Sequence, residues 1–594
     1  MLDGIKSLYI LKEVFFFISN GTLLRLLHHN KKFQKKLEIR IEDFQKYSNQ
    51  IVIDIIPEPD FHFTSIFINL VGNPSFFHIY FNEDLKDKKR NFIYFREKVP
   101  KIRVIIEEDK EMKSLKGLFA SCFLAKEINF IKFNRRDITD MSDMFQNSNN
   151  LIKIDISKLK TDSVTTMENM FKGCSKLKTI DLSNFKECNS LDKTNNMFYK
   201  CSSLVNINLN NLEAINLRDM NRMFYKCYSL EKIDLSNLRS EKINNMNSLF
   251  YGCSSLKKFD LPKVSTYNLE DMSFMFFGCS SLIKVNLLNF NTSSVTNMES
   301  IFSGCSSLKN IDLSNFNTYN VEKMNFMFYG CSSLLELNLS NFRTSKVINF
   351  EGMFKGCSSL KKLNILNFNV SISTIMNSIF SGCSSLIYLN LSNFKVENVI
   401  PMNYLFSGCS SLKELNLSNF IPLNFLLSKR IFYGCSSLIN LNIPNLCLED
   451  ENMFENIFDG CNEELKLNIK KNIIYMKNIK EEINYKELKL KIQKNNAYVK
   501  EENEEKEEKE EVNYTYMKCL GSLEEQKEYL GNILWDKISK NSIIIDKNID
   551  IDIISKICGM ILGIEDINEI FNITINEGKI NERIREALFL LGIE

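Results

Sequence analysis

The chain has 594 residues, and its 75 basic and 73 acidic side chains leave a net charge of +2. That balance excludes a polyanion-binding surface spread over the whole molecule, while 44% hydrophobic residues suffice for a buried core. No stretch approaches about 18 uninterrupted apolar residues, so no membrane-spanning helix is expected.

The N-terminal region, 1–98, reads as helices followed by strands. Lys12 and Glu13 interrupt the first apolar run, and no small-residue cleavage site stands out. A secretory leader is therefore not expected, and the chain reads as cytoplasmic, with reduced thiols. Residues 5–38 carry two amphipathic patterns, one through Ile10, Leu11, Val14, Phe15 and Ile18, the other through Leu23, Leu24, Leu26 and Leu27. The second resembles the latter half of an F-box, without the usual proline near its start. Residues 51–96 alternate apolar and polar, with Phe76, Phe77, Ile79 and Phe81 among them, and predict strands. All four histidines (His28, His29, His62 and His78) lie here, without cysteines at ligand spacing.

From there a cysteine beat governs the sequence. Cys174, Cys201, Cys227 and Cys253 begin a series that continues every 26 residues to Cys461; Ser148 and Cys122 extend it backwards. A fixed period of this size marks a solenoid. In the unit 291–316, Val295, Met298, Ile301 and Phe302 predict one face of a short helix, with Ser293 or Ser294 as its N-cap and Gly304 as a left-handed terminus. Leu308, Ile311 and Leu313 then give the spacing of a leucine-rich repeat strand, with Asp312 pointing outward. Each unit is thus expected to be a strand, a turn and a short helix. About fourteen of them would stack into a parallel sheet roughly 65 Å long. Val99, Ile102 and Val104 extend the pattern one unit upstream, as do Ala125, Ile128 and Phe130 in the next. Leu465, Leu467 and Ile469 continue the alternation downstream, giving an array over 99–470. Asp312, Glu336, Asn364 and Glu414 stand at exposed strand positions that vary between units. The cysteines give one thiol per unit, a poor basis for a four-ligand metal site, and read as small buried residues.

The repeat wording, with its recurrent Gly-Cys-Ser-Ser-Leu and Leu-Ser-Asn-Phe, resembles the BspA-like leucine-rich repeats of bacterial surface proteins and large protist families. The resemblance implies an α/β leucine-rich repeat solenoid of short parallel strands and short helices, with adhesive or scaffolding roles.

Residues 471–515 read as a charged linker, ending in the Glu-rich run 500–511. Residues 516–594 read as a small all-α helical domain, with Ile557, Met560, Ile561 and Ile564 at helical spacing. Glu525, Gln526, Lys527, Leu530, Gly531 and Trp535, then Lys556 to Leu562, then Glu586 and Ala587 resemble the MLLE domain that ends cytoplasmic poly(A)-binding proteins. That resemblance implies binding of PAM2-like peptides from disordered regions of RNA-metabolism proteins, without direct nucleic-acid binding; any link to RNA is by association. The implied peptide-binding residues are Tyr529, Gly531, Asn532, Trp535, Lys556, Gly559, Met560 and Leu562. The sequence departs from the family at Trp535 (a Phe there), at Gly563 (a Glu), and in a lengthened loop within 541–552.

No catalytic constellation, phosphate-cradling glycine loop or cofactor motif is present in the sequence, and Cys519 has no histidine near it. The expectation is a non-enzymatic adaptor with an unidentified protein ligand on its repeats. Two alternatives are a substrate receptor of a ubiquitin ligase, from the F-box resemblance, and a secreted adhesin, from the repeats alone.

Overall fold

A 26-residue unit with one apolar strand and one apolar turn segment cannot close a core alone; it needs an identical unit on each side. The computed structural model shows how that stacking is made. It describes residues 49–475, short internal stretches excepted, and 577–590. The chain divides into two units, Met1–Glu481 and Glu482–Glu594.

The first unit opens with an antiparallel cap. Strands β1 (Ile51–Pro57), β2 (Ser65–Ile66), β3 (Phe77–Phe81), β4 (Phe92–Ile93) and β5 (Ile102–Ile106) precede β6 (Ala125–Lys132), the first rung of the solenoid. The main sheet runs β3-β5-β1-β6, then the strand Lys153–Asp155. β1 lies antiparallel to both β5 and β6, whereas β6 pairs in parallel with the next rung. β1 therefore covers the open edge of the first coil, an edge that would otherwise template aggregation. The strand expected at 99–104 as a solenoid rung belongs instead to this cap: β5 sits outside β1, where no parallel neighbour can reach it.

Within β1, Asp54 is buried and held by Arg103 (Nε to Oδ1 2.8 Å) and Lys101 (2.9 Å). Burial opposes its charge, but hydrogen bonds from Arg103 and Lys101 outweigh it and lower its pKa.

Beyond β6 the rungs are three residues long and pair in register two by two, as between Glu336–Asn338 and Lys362–Asn364 or Glu414–Asn416 and Asn440–Asn442; the expected continuous parallel sheet is broken into such pairs, and residues 231–235 and 309–313 form no strand. The central residue points inward and its neighbours outward. The segment expected as a short helix differs. It is a run of tight turns whose alternate N–H groups donate to the following coil. Met298 donates to Lys323, Ser300 to Asn325, Phe302 to Met327 and Gly304 to Tyr329, at 2.6–3.0 Å. Ser300 and Gly304 take left-handed φ of 54° and 75° to aim these groups. Ser293 is no helix cap; its N–H and hydroxyl bond Asn291 instead.

The terminal coil shows why. Among the described residues, no further coil of turns follows to accept the N–H groups of its turn segment. There the same kind of sequence closes on itself as α1 (Glu451–Phe458), with Phe454, Ile457 and Phe458 buried. α2 (Glu463–Lys470) follows, with Asn462 accepting at its N-cap from Glu464 (2.8 Å). The strand expected through Leu465, Leu467 and Ile469 is thus a helix. Leu465 and Ile469 are buried four residues apart on one face, while Leu467 is 65% exposed. The strand Ile473–Tyr475 then pairs in parallel with Leu446–Leu448.

The core is a set of ladders. Fourteen fully buried phenylalanine rings, one per coil from Phe119 to Phe458, stack at 5.2–5.9 Å and within 17° of parallel. Such pairs add roughly 0.5–1.5 kcal/mol beyond burial of their area. Asn341 donates to the carbonyls of Leu313 and Phe316 in the preceding coil, and Asn315 likewise to Leu287 and Phe290. These amides account for the Asn of Leu-Ser-Asn-Phe.

Among the described residues of the second unit, Glu577–Leu590 forms a helix, α3, with Ile584 and Ala587 buried. Arg583 pairs with Glu586 across its surface at 2.7 Å.

Candidate functional site

The periodic cysteines are architecture. The thiol of Cys305 donates to the Phe276 carbonyl at 3.2 Å, and its equivalents repeat the bond along the array. Ser148 makes it with a hydroxyl, to Phe119. The fourteen cysteines whose surroundings are described are free and buried. Burial pushes the Cys174 thiol up to about 12 and Cys188 to about 11, so neither supplies a thiolate near neutrality. Among the described residues no cluster of His, Cys, Asp or Glu could hold a metal ion. His78 lies between Asp87 (2.9 Å) and Glu107 (3.4 Å) on the cap; the other three histidines lie outside the described residues.

What the fold displays is the strand face. Every third-position or first-position side chain of a rung stands in line with its equivalents one coil away. Lys362 pairs with Glu336 (2.7 Å), Asn286 donates to Asp260 (3.1 Å), and Asn440 donates to Glu414 (3.1 Å). Asp312 stays exposed, its pKa lowered by hydrogen bonds from Ser314. The expected surface positions Asp312, Glu336, Asn364 and Glu414 are all exposed.

At its C-terminal end the face meets α2 at an open cleft of about 760 Å³, lined by Tyr388, Glu414, Ile439, Asn442, Leu465 and Ile469 among others. Sequence reasoning missed this wall because Leu465 to Ile469 read as a strand. The signal was present: Asn462 followed by Glu463 and Glu464 is an N-cap with an acidic first turn. Leucine spacing alone does not separate period 2 from period 4 over five residues.

The eight implied peptide-binding residues (Tyr529, Gly531, Asn532, Trp535, Lys556, Gly559, Met560 and Leu562) lie outside the described residues, as does the F-box resemblance at 5–38. Of the matched C-terminal motif, Glu586 and Ala587 fall on α3.

Stacked coils, parallel rungs and inter-coil ladders define a leucine-rich repeat solenoid of the BspA-like kind. Three stretches, 113–238, 244–364 and 349–471, together more than half of the chain, match the family described as "Mycoplasma protein of unknown function, DUF285". The chain belongs to that family. An MLLE domain matches residues 521–591. Solved structures similar to the chain include a leucine-rich repeat protein from Bacteroides ovatus, 21% identical, with TM-score 0.31, covering 59% of this chain and 79% of that one. Another is the leucine-rich repeat protein of T. pallidum, 22% identical, with TM-score 0.21, covering 30% and 77%. No curated protein matches the chain. Repeats of this class and MLLE domains are interaction modules, not enzyme families, so the chain is built as a protein-interaction molecule.

Proposed function

We propose that the protein is a cytoplasmic, non-enzymatic adaptor. Its solenoid holds one protein ligand on the strand face, and its C-terminal domain captures PAM2-like peptides of RNA-metabolism proteins. The observation that carries the reading is the MLLE match over 521–591, joined to a repeat array whose outward face varies from coil to coil. In the C-terminal domain, Trp535 beside Gly531 and Asn532 would form the platform for an aromatic anchor of the peptide. Lys556, Gly559, Met560 and Leu562 would line the neighbouring pocket, and Tyr529 its rim.

The test uses the only tryptophan of the chain. A PAM2 peptide is titrated into the full-length protein while Trp535 emission is followed. A saturable change that vanishes in the Gly559→Leu variant, which fills the pocket without adding a second tryptophan, is expected. An unchanged spectrum, together with no peptide retained at high micromolar concentration, would refute the peptide-binding half.

A further inference from the structure

One column of the solenoid has a period of two coils. Immediately before the rungs, lysine stands at 257, 309, 361 and 413. In the alternate coils the same position holds Ile283, Leu335, Ile387 and Ile439, each 39–55% exposed. Backbone bonds hold the column in line at five of its seven steps: Ile283 donates to Lys257, Leu335 to Lys309, Lys361 to Leu335, Lys413 to Ile387 and Ile439 to Lys413, at 2.9–3.3 Å. Lys257 is paired with Glu231 at 3.0 Å. Lys309, Lys361 and Lys413 are exposed and make no ion pair among the described residues. The adjoining column is mixed in charge, with the exposed Lys258, Lys284 and Lys362 alongside Glu336 and Glu414. At its C-terminal end the line of side chains runs through Ile439 into the open cleft beside α2.

The spacing selects a ligand. Neighbouring rungs are about 4.8 Å apart, so lysine recurs every ~9.6 Å with an apolar side chain midway. An extended strand returns a side chain to one face every ~6.8 Å, and an α-helix every ~5.4 Å, or ~10.5 Å for its seven-residue repeat. A polyproline II segment returns every third residue, at ~9.3 Å, and so keeps step along the column where the other two drift. Its backbone carbonyls are unpaired and open to lysine ammonium groups. Nucleic acid fits less well: its charge recurs every ~3.4 Å along a strand and would meet the exposed Ile283, Leu335, Ile387 and Ile439 as well as Asp260, Asp312 and Glu414, whereas a peptide charged only at every third residue can set uncharged side chains there.

We infer that this column is a binding track for an acidic, proline-rich polypeptide in the polyproline II conformation, with an acidic residue at every third position facing the lysines and apolar residues between. The inference rests on the strand face being the solenoid's interaction surface and names its ligand class.

The test is fluorescence anisotropy with the full-length protein and two fluorescein-labelled peptides. One carries about five Glu-Pro-Leu repeats, ~46 Å long as polyproline II. The other is an alternating Glu-Leu peptide of equal charge. The Glu-Pro-Leu peptide is expected to bind the more tightly, and the Lys309→Glu/Lys361→Glu/Lys413→Glu variant to weaken it at least about tenfold. Far-UV circular dichroism should be unchanged, since all three side chains are on the surface. Preference for the Glu-Leu peptide, lost on the same reversal, would overturn the inference yet leave the strand face as a binding surface. No binding of either peptide, binding indifferent to the reversal, or equal competition by an oligodeoxythymidylate would overturn it as well. The Trp535 titration reports on the other unit and stands or falls separately.

Discussion

Two residues per coil carry the backbone conformation on which the array depends. One is the position of Ser300, filled also by Asn169, Asn196, Arg222 and Phe326; the other is that of Gly304, where Lys200 and Lys226 stand in two coils. A left-handed φ costs a side-chain-bearing residue roughly 1–2 kcal/mol, and glycine almost nothing. A Cβ on Gly304 would also meet the Gly278 backbone at 3.3 Å. Gly304→Ala is therefore expected to lower stability by about 2 kcal/mol, and Lys226→Gly to raise it by up to ~1 kcal/mol; urea denaturation of both variants measures this. At the cysteine position the carbonyl acceptor accommodates a hydroxyl, as Ser148 shows. Cys305→Ser should cost no more than about 1 kcal/mol, whereas Cys305→Leu, which overfills the site, should cost ~1–3 kcal/mol. Without denaturant, the buried thiols of the array should stay unreactive towards a disulfide reagent at pH 8, since burial holds them protonated.

At the scale of elements, the caps are where the repeat gives way to other rules. β3 is an outer strand, and its free edge is closed by a loop: Ile79 donates to Asp87 (3.1 Å), and Lys88 donates to the Ile79 carbonyl (2.8 Å). Burial raises the Asp87 pKa, but hydrogen bonds from Lys89, Ile79 and His78 prevail and hold it at about 2. Its folded pKa lies below the unfolded value of ~3.9, so its contribution is complete above about pH 4 and is lost as the pH falls towards 2. The cap of the wild-type protein is expected to loosen over that window. Asp87→Asn should lower stability at pH 7 by at most ~2 kcal/mol and flatten the loss between pH 4 and 2, as read by hydrogen exchange of β3 and β5. At the other end, α1 and α2 show how one apolar pattern takes two forms. Val295, Met298, Ile301 and Phe302 face inward whether the segment is helix or turns. Sequence therefore located this buried face correctly and misjudged its backbone. The deciding factor is whether a following coil offers carbonyls, which lies some 26 residues away and outside any local pattern.

Across the whole molecule, stability is a sum of coils and of the interfaces between them. Phe302 stacks on Phe276 and Phe328, whereas Phe458 stacks on Phe432 at the end of the row. Phe302→Ala should cost about 3–5 kcal/mol and divide thermal unfolding into two transitions, one for each side of the break. Phe458→Ala should only shorten the cooperative block; calorimetry separates the two outcomes. The cysteine beat, the Leu-Ser-Asn-Phe wording and the MLLE motif by themselves determined the period, the inward face, the class of solenoid and the presence of a second module. They could do so because each of these is a choice of side chain repeated at fixed spacing. Tertiary structure alone decided that β1 inserts between β5 and β6, that the inner turns form an inter-coil ladder while the last coil becomes helical, and that α2 walls a cleft at the end of the strand face. Those outcomes depend on which backbone groups find partners, and the partners lie a full coil or more away along the chain.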